Sequence, residues 1–417
     1  MVKDKIIKNE IHKNKKPYKY FINKKIFSFN MFGIKLLCIN LNISVKMKNK
    51  IYNYDFLIIG AGLIGSLAAI ALHKKNFNVL VIDKNNHLVS DQRTLAVNAN
   101  SREFLKSLNL WKNLEKKSEP IDKIIICDDI NDDEVIFENK NESMGSVIYN
   151  AELQKISRSY LQKYKILVNN IDFTKINISS LNSINIKDKL FSFKKIIFAL
   201  GRNFNNDYYV KKKQFKVTHK AYVGFFKHEI EHSQTAYETF TASGPLAVLP
   251  CPHKNKKFST FIFSTPNQIS KKNLSSKIVK YFSNTHGKIQ MKNEISEFPI
   301  IAHLSKPIKD NILLLGDNSR AIHPVAGQGW NLGIKDIQAL LQNLDKYRIL
   351  DSKFDEMYFA KRQIENLSYL VFTNSLNYLY DTDSILAKKI RSAGFSILNN
   401  FSLLRRIFIN QAMGKKI

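Results

Sequence analysis

The chain has 417 residues, 44% hydrophobic and 24% charged, enough for two or three domains around a substantial core. Its 65 Lys and Arg against 35 Asp and Glu give a formal net charge of +30, but no helix-turn-helix, zinc-finger or single-strand-binding signature accompanies that charge, which argues against a nucleic-acid partner. Cys38, Cys127 and Cys251 stand without CxxC spacing, so neither a disulfide framework nor a metal site is expected, and no run approaches the roughly 18 apolar residues of a membrane-spanning helix.

Two readings of the charge stay open: compositional drift that leaves lysines as solvated surface, or attraction to an anionic membrane surface. Residues 1–50 carry 13 lysines against Asp4 and Glu10 and show no apolar period. They are expected to be a basic extension, disordered or not native, with the functional chain starting at Met47. The most apolar early run, Met31 to Val45, is interrupted by Lys35, Asn40 and Asn42 and is followed by no signal-peptide cleavage site.

At Tyr54 the texture changes to DFLIIGAGLIGSLAAIALHKKNFNVLVIDKN. A strand Phe56 to Ile59 runs into Gly60, Gly62 and Gly65, then a helix with small residues on its packing side, then a strand Val79 to Ile82 ending at Asp83. Gly60 makes the tight turn, Gly62 lets backbone approach a pyrophosphate, Gly65 lets helix pack on strand, and Asp83 is placed to accept from a ribose. An acid at position 83 disfavours a 2′-phosphorylated ribose, leaving NAD or FAD.

Arg93 then stands in a loop, and Ser101 to Trp111 is expected to be a helix. Ile121 to Glu138 alternates short apolar runs with acids, which predicts a β-hairpin with an acidic turn. Ala151 to Tyr164 predicts another helix starting at Asn150. Lys195 to Gly201 is a buried strand ending in glycine. After it the pattern is antiparallel, with strands at Ala221 to Lys227, Thr235 to Thr241, Leu246 to Leu249 and Phe258 to Phe263. His228, His232 and His253 lie among them without metal-ligand spacing and are expected to be structural.

A second glycine-rich stretch runs LLLGDNSRAIHPVAGQGWNLGIKDIQALL from Leu313 to Leu341. A strand Ile312 to Leu315 is broken by Gly316 and Asp317, and a loop closed by Gly327 and Gly329 leads into a helix near Asn331. Unpaired N–H groups at that helix start, with the helix dipole, suit something negative and hydroxylated. Phe354 to Met413 is helical. Its last part, Ile385 to Phe408, mixes apolar residues with Lys388, Lys389, Arg391, Arg405 and Arg406, which fits either a bilayer-resting surface or the packing of a helical cap.

With both glycine-rich stretches placed, the chain resembles the single-component FAD-dependent aromatic hydroxylases, and within them the ubiquinone-biosynthesis hydroxylases that act on polyprenylated phenols. The resemblance covers about Tyr54 to Gly414. It rests on GDNSRAIHPVAGQGWNLGIKDIQAL, GAGLIG, DQRTLAVNANS, SGPLAVLP at Ser243 to Pro250 and AMG at Ala412 to Gly414. It implies an α/β fold: a Rossmann-like FAD-binding domain of the para-hydroxybenzoate-hydroxylase type (51–205 and 297–345), an antiparallel-sheet substrate domain (206–296) and a C-terminal helical region (346–417).

The resemblance also implies roles. Gly60, Gly62, Gly65 and Asp83 would hold the ADP half of FAD, with Arg93 near the ribityl and phosphate part. Gly316 and Asp317 would meet the ribityl chain, and the loop from His323 through Gly327 and Gly329 to Asn331 would offer backbone donors to the flavin's pyrimidine edge, with Pro324 lining the reacting side. His323 is the one ionisable side chain expected near the flavin, as a loop anchor before a proton carrier. Leu246, Val248 and Pro250 would line the substrate pocket. NAD(P)H would reduce FAD, and O₂ would be taken up as a C4a-hydroperoxide that gives one oxygen to the ring.

Two departures bear on this. Leu200-Gly201-Arg202 stands where the family shows Asp-Gly-Arg, which touches the reduction step more than FAD binding and leaves a flavin-binding scaffold subunit of a quinone-biosynthesis assembly as the alternative. Asn318, Ser319 and Arg320 replace the family's Ala-Ala-His run and are expected to be tolerated. The expected setting is cytoplasmic, free or peripheral on the inner membrane face, with other quinone-biosynthesis proteins as candidate partners.

Overall fold

The computed structural model describes residues 18–22, 25–29, 51–86, 93–139, 141–175, 182–215, 219–253, 255–292, 294–323, 328–347, 350–382 and 384–415. Two compact units emerge, Met1–Tyr52 with Ile186–Leu190, and Asn53–Asn185 with Phe191–Ile417. In the first, Tyr18–Ile22 and Lys25–Phe29 pair as an antiparallel hairpin. Regular structure therefore occurs inside the stretch expected to be an extension; the rest of that stretch up to Lys50, with Cys38 and the Met31 to Val45 run, lies outside the described residues.

The helices of the second unit are α1 Leu63–Lys74, α2 Ala99–Ser107, α3 Trp111–Glu115, α4 Asn150–Lys163, α5 Lys271–His286, α6 Gln328–Lys346, α7 Ser352–Asp381, α8 Ile385–Asn400 and α9 Ser402–Ala412. The single helix expected from Ser101 to Trp111 is two, because Asn109 takes φ 57 between them, a left-handed conformation that asparagine adopts more readily than most residues. Asn98 caps α2, its side chain accepting from the Ser101 N–H at 2.9 Å.

The cofactor-type sheet runs Leu167–Val168, Val79–Ile82, Ile51–Ile59, Lys189–Phe198, Ser183–Ile186, with Ile312–Leu314 added beside Lys189–Phe198. Leu57 pairs with Leu80 and Ile197 with Leu313 in parallel register. Parallel strands are covered on both faces, so they are near-continuous apolar runs rather than alternating ones; Phe56 to Ile59 and Ile196 to Phe198 are buried throughout. Helix α1 is buried along Gly65 to Leu72 and sits at the centre of the main core with Leu105, Leu153, Ile334 and Leu340.

The second large sheet is ordered Ile289–Met291, Lys220–His228, Phe258–Thr265, Gly244–Pro250, Thr235–Thr241, Lys123–Asp128, Asp133–Glu138. The hairpin expected from Ile121 to Glu138 forms, but in this sheet: Lys123–Asp128 lies parallel to Thr235–Thr241, with Ile126 opposite Glu238. That corrects the boundary drawn at residues 51–205, since an interior piece of that range extends the second large sheet. A smaller sheet of Thr94–Asn98, Gly145–Tyr149 and Glu119–Ile121 is reached through the loop carrying Arg93.

Candidate functional site

Three strands of the parallel sheet end side by side, and each is followed by a glycine turn. Gly60 has φ +105, and a Cβ there would lie 2.5 Å from the Ala199 carbonyl oxygen, so a side chain is excluded by conformation and by contact. Gly65 packs so closely that its Cβ would meet the Gly60 carbonyl. Gly316 has φ +60, and both it and Gly333 of α6 press on the side chain of Ile64. Positions near 60 and 316 are thus brought together through one isoleucine at the start of α1. By contrast, among the described residues nothing lies within 4 Å of a Cβ built on Gly62, Gly201 or Gly329.

Side chains stitch the three turns. Asp83 accepts from the Ala61 N–H at 2.5 Å and from the Asn85 N–H at 2.7 Å, so its carboxylate shapes the first turn. Buried Asn318 accepts from the Leu200 N–H and donates to the Gly201 carbonyl at 3.2 Å. Arg202 Nε lies 3.1 Å from Asp317 Oδ2, both half-exposed. The Asp317 carbonyl meets His303 Nε2 at 3.0 Å; burial, with Lys212 nearby, pushes the His303 imidazole down to about 4.

Behind the Gly316 turn stands a buried ionic cluster absent from the sequence reading. Asp336 of α6 accepts from the Gly316 N–H at 2.9 Å, from Arg320 Nη1 at 2.6 Å and from Arg362 Nε at 2.7 Å. Arg362 also pairs with Glu365, and Asn366 donates to Ser319 Oγ at 3.1 Å. Asn318, Ser319 and Arg320, expected to be tolerated, each hold this loop: Asn318 to the Leu200–Gly201 turn, Ser319 to α7 through Asn366 and Arg320 to α6 through Asp336. The available signal was Asp336 itself, an acid four residues from both Leu332 and Leu340 on the apolar stripe of its helix.

Helix α1 has Gly62 as its N-cap, with no side-chain cap and no acid in its first turn. Its free N–H groups and dipole therefore face the open side of Gly62, a setting for a pyrophosphate. Asn331 enters at the α6 end: its Oδ1 accepts from the Asn98 N–H at 3.1 Å and its Nδ2 donates to the Ala96 carbonyl at 2.9 Å. His323 is fully buried, its ring edge-on to His219 at 5.3 Å. Arg93 is exposed and lies 5.4 Å from the Phe298 ring centroid, at the seam with the large sheet. Pro324 and Gly327 lie outside the described residues. Open space over three glycines, an uncapped helix start and two carboxylates at adjoining turns fit a dinucleotide.

A cavity of about 460 Å³ opens beside this assembly, lined by Ala96 to Asn98, Gln328 and Asn331 at one end and by the large sheet and α7 to α9 elsewhere. Its lining is mainly apolar. From the strand Gly244–Pro250 it is Ala247 and Leu249 that face it. Leu246 and Val248 belong to a separate core with Leu274, Ile278 and Phe282 of α5, and Pro250 shares their parity. The expected lining residues were therefore one position out of register, which in a strand is the opposite face. His228 meets the Ile230 carbonyl at 2.7 Å and Ser259 Oγ at 3.0 Å, the structural role expected of it.

Residues 58–102 match the model of an NAD(P)-binding Rossmann-like domain and residues 225–347 that of an FAD binding domain. Among solved structures, the p-nitrophenol 4-monooxygenase PnpA of Pseudomonas putida superposes with a TM-score of 0.70 at 12% identity, over 88% of this chain and 100% of that one. HpxO of Klebsiella pneumoniae, complexed with FAD, gives 0.64 at 15% identity, over 86% and 98%. The chain is an FAD-dependent monooxygenase with the fold of the aromatic hydroxylases; FAD is its cofactor and NAD(P)H its reductant.

More particularly, it is similar to the ubiquinone hydroxylases. The mitochondrial ubiquinone biosynthesis monooxygenase COQ6 of Dictyostelium discoideum is 25% identical over 95% of this chain and 98% of its own length. The ubiquinone hydroxylase UbiL of Rhodospirillum rubrum is 24% identical over 86% and 89%. Among the described residues, no helix is long and apolar enough to cross a membrane.

Proposed function

We propose that this chain hydroxylates the aromatic ring of a polyprenylated phenol on the route to ubiquinone, with O₂ as oxygen source and NAD(P)H as electron donor. The supporting observation is the apolar chamber of about 460 Å³ that begins at Ala96 to Asn98 and Asn331, against the cofactor turns, and continues to the C-terminal helices. Its size and lining suit a ring carrying an aliphatic tail. Names of the curated relatives point the same way.

Gly60, Gly62, Gly65 and Asp83 hold the ADP half in this reading, and Arg93 approaches the phosphates from the loop before Thr94–Asn98. Gly316 and Asp317 take the ribityl chain, and Gly329 and Asn331 at the start of α6 face the flavin's pyrimidine edge, where a helix N-terminus favours negative charge. FAD held there would supply the redox chemistry, with hydride from NAD(P)H and one oxygen atom of O₂ going to the ring while the other leaves as water. The chain's own part is to orient the ring, fix the turns through Asn318 and Asp336, and keep water out of an apolar chamber. Peripheral contact with a membrane face belongs to this reading, because a prenylated phenol partitions into lipid.

The test is NAD(P)H oxidation by the purified yellow protein with and without a short-tailed prenylated phenol, with mass spectrometry of the product. Stimulated oxidation and a product 16 mass units heavier, roughly one oxygen atom, are expected. Bound FAD without stimulation by any such phenol favours the scaffold reading, which Leu200 keeps in play.

A further inference from the structure

The wall that the C-terminal helices give the chamber is also a surface. Phe372 of α7, Ile390 of α8 and Phe408 of α9 line the cavity and are 47%, 48% and 40% exposed, so the chamber reaches the outside between these three helices. The surface around that mouth is apolar: Leu386 and Leu403 are 68% and 70% exposed, and no residue of α9 is buried. An amphipathic helix ordinarily covers its apolar stripe with its own protein; here the stripe is left open. From Ile385 to Ala412 there is no Asp or Glu, while Lys388, Lys389, Arg391, Arg405 and Arg406 are all basic. Of these, Arg391 turns inward to Asp128 at 3.3 Å, and Lys389 and Arg406 are exposed. Contiguous apolar surface bordered by basic groups and free of acids complements an anionic lipid surface in both respects.

Gly394 adds a second observation. It sits inside α8, lines the chamber, and a Cβ there would meet nothing within 4 Å among the described residues. Neither a turn nor a close approach requires glycine, although glycine is unfavourable in a helix interior. What it supplies is width, four residues from Ile390 at the mouth.

We propose that the mouth framed by Phe372, Ile390 and Phe408 is a lipid-facing portal. Helices α8 and α9 rest on an anionic bilayer, the aliphatic tail of the substrate passes through the mouth without crossing water, and Gly394 keeps the throat wide enough for a branched chain. The tail half of this proposal rests on the polyprenylated-phenol reading; the docking half stands without it.

The experiment uses the FAD-loaded full chain with phosphatidylcholine vesicles, with and without phosphatidylglycerol. Wild type is expected to co-sediment with the anionic vesicles, and the pair Leu386→Glu with Leu403→Glu, both outside the chamber, to reduce binding at least tenfold at unchanged FAD content. Gly394→Phe is expected to lower kcat/KM for a long-tailed phenol at least tenfold more than for a short-tailed one. Wild type that ignores anionic vesicles, or glutamate variants that bind as wild type does, overturns the portal. So does a wild-type dimer that those variants dissociate in the absence of vesicle binding, because the face then meets a second copy. Equal losses for both phenols in Gly394→Phe overturn the throat. Vesicle binding without phenol-stimulated NAD(P)H oxidation would instead count against the proposed reaction and leave the docking surface standing.

Discussion

The two ends of the chamber are built on opposite principles. At the cofactor end, turns from three strands are held by short polar contacts around glycines, with Asp336, Arg320 and Arg362 almost wholly buried behind them. At the far end, helices α7 to α9 offer apolar side chains that are half in the chamber and half in solvent. The first arrangement tolerates little change, because each charge and each N–H has one partner geometry. The second is a wall of interchangeable apolar groups, where shape and width matter more than any single contact. That difference suits a cofactor of fixed structure and, in the proposed reading, a tail of loose shape.

Breaking the rigid end should have the largest effect. Asp336→Ala strands two buried guanidinium groups and the Gly316 N–H, and removal of one partner of a buried ion pair costs about 3–5 kcal/mol. Urea denaturation should show that loss together with poor FAD retention; a fully flavinylated variant of normal stability would mean that the cluster is dispensable. Next in size is the pair that sharpens the boundary between core and chamber. Leu246→Ala should cost about 2–5 kcal/mol of stability and leave KM for the phenol alone, since Leu246 packs on α5. Ala247→Phe should do the reverse, raising KM about tenfold or more by filling the chamber at near-normal stability. The opposite pattern would show that the odd-numbered face is the core.

Much of the cofactor end was legible because its signals are local. Strand, GAGLIG, helix and strand-terminal Asp83 lie within thirty-odd residues, and the spacing alone defines the turn. The chamber was not legible, for two physical reasons. Gly244–Pro250 is covered on both faces, so its sequence has no alternation from which to read which side meets the cavity. The hairpin Lys123–Asp128 and Asp133–Glu138 announces itself, but its parallel partner Thr235–Thr241 lies over a hundred residues later, and no local pattern encodes that pairing. The part Asn318 plays was not legible, because a side chain that bonds a distant loop looks like any polar turn residue until that loop is placed.

Although His303 at the cofactor end titrates in the same range, a pH titration of His232 variants probes the second large sheet. His228, His232 and His286 cluster there, with His228 and His286 ring centroids 4.6 Å apart. Burial lowers all three imidazoles, His232 to about 4 and His286 to about 3. Their folded pKa values lie below the unfolded one, so the unfolded chain takes up protons first as pH falls. Stability from this cluster is therefore complete above pH about 6.5 and lost progressively down to about 3, on the order of 3 kcal/mol for His232 alone at about 1.4 kcal/mol per unit. Melting temperature against pH should fall across that window, and His232→Gln should flatten the slope. A slope unchanged by that substitution would place the acid sensitivity elsewhere.

The smallest expected effect tests the stitch between two cofactor turns. Asn318→Ala removes the acceptor of the Leu200 N–H and the donor to the Gly201 carbonyl, at a cost of about 1–3 kcal/mol for groups left buried and unpaired. Because Arg202 still reaches Asp317, the turns should separate only slightly. The loss should therefore appear as a five- to tenfold weaker Kd for FAD, roughly 1 kcal/mol, in fluorescence titration of the apoprotein, with little change in melting temperature. Asn318→Asp keeps the acceptor and loses the donor, so an intermediate Kd would assign the larger share to the Leu200 contact. If both variants bind FAD as wild type does, the Leu200 turn is set by the Gly60 contact with Ala199 alone, and the rigidity of the cofactor end resides in its glycines rather than in its side-chain bonds.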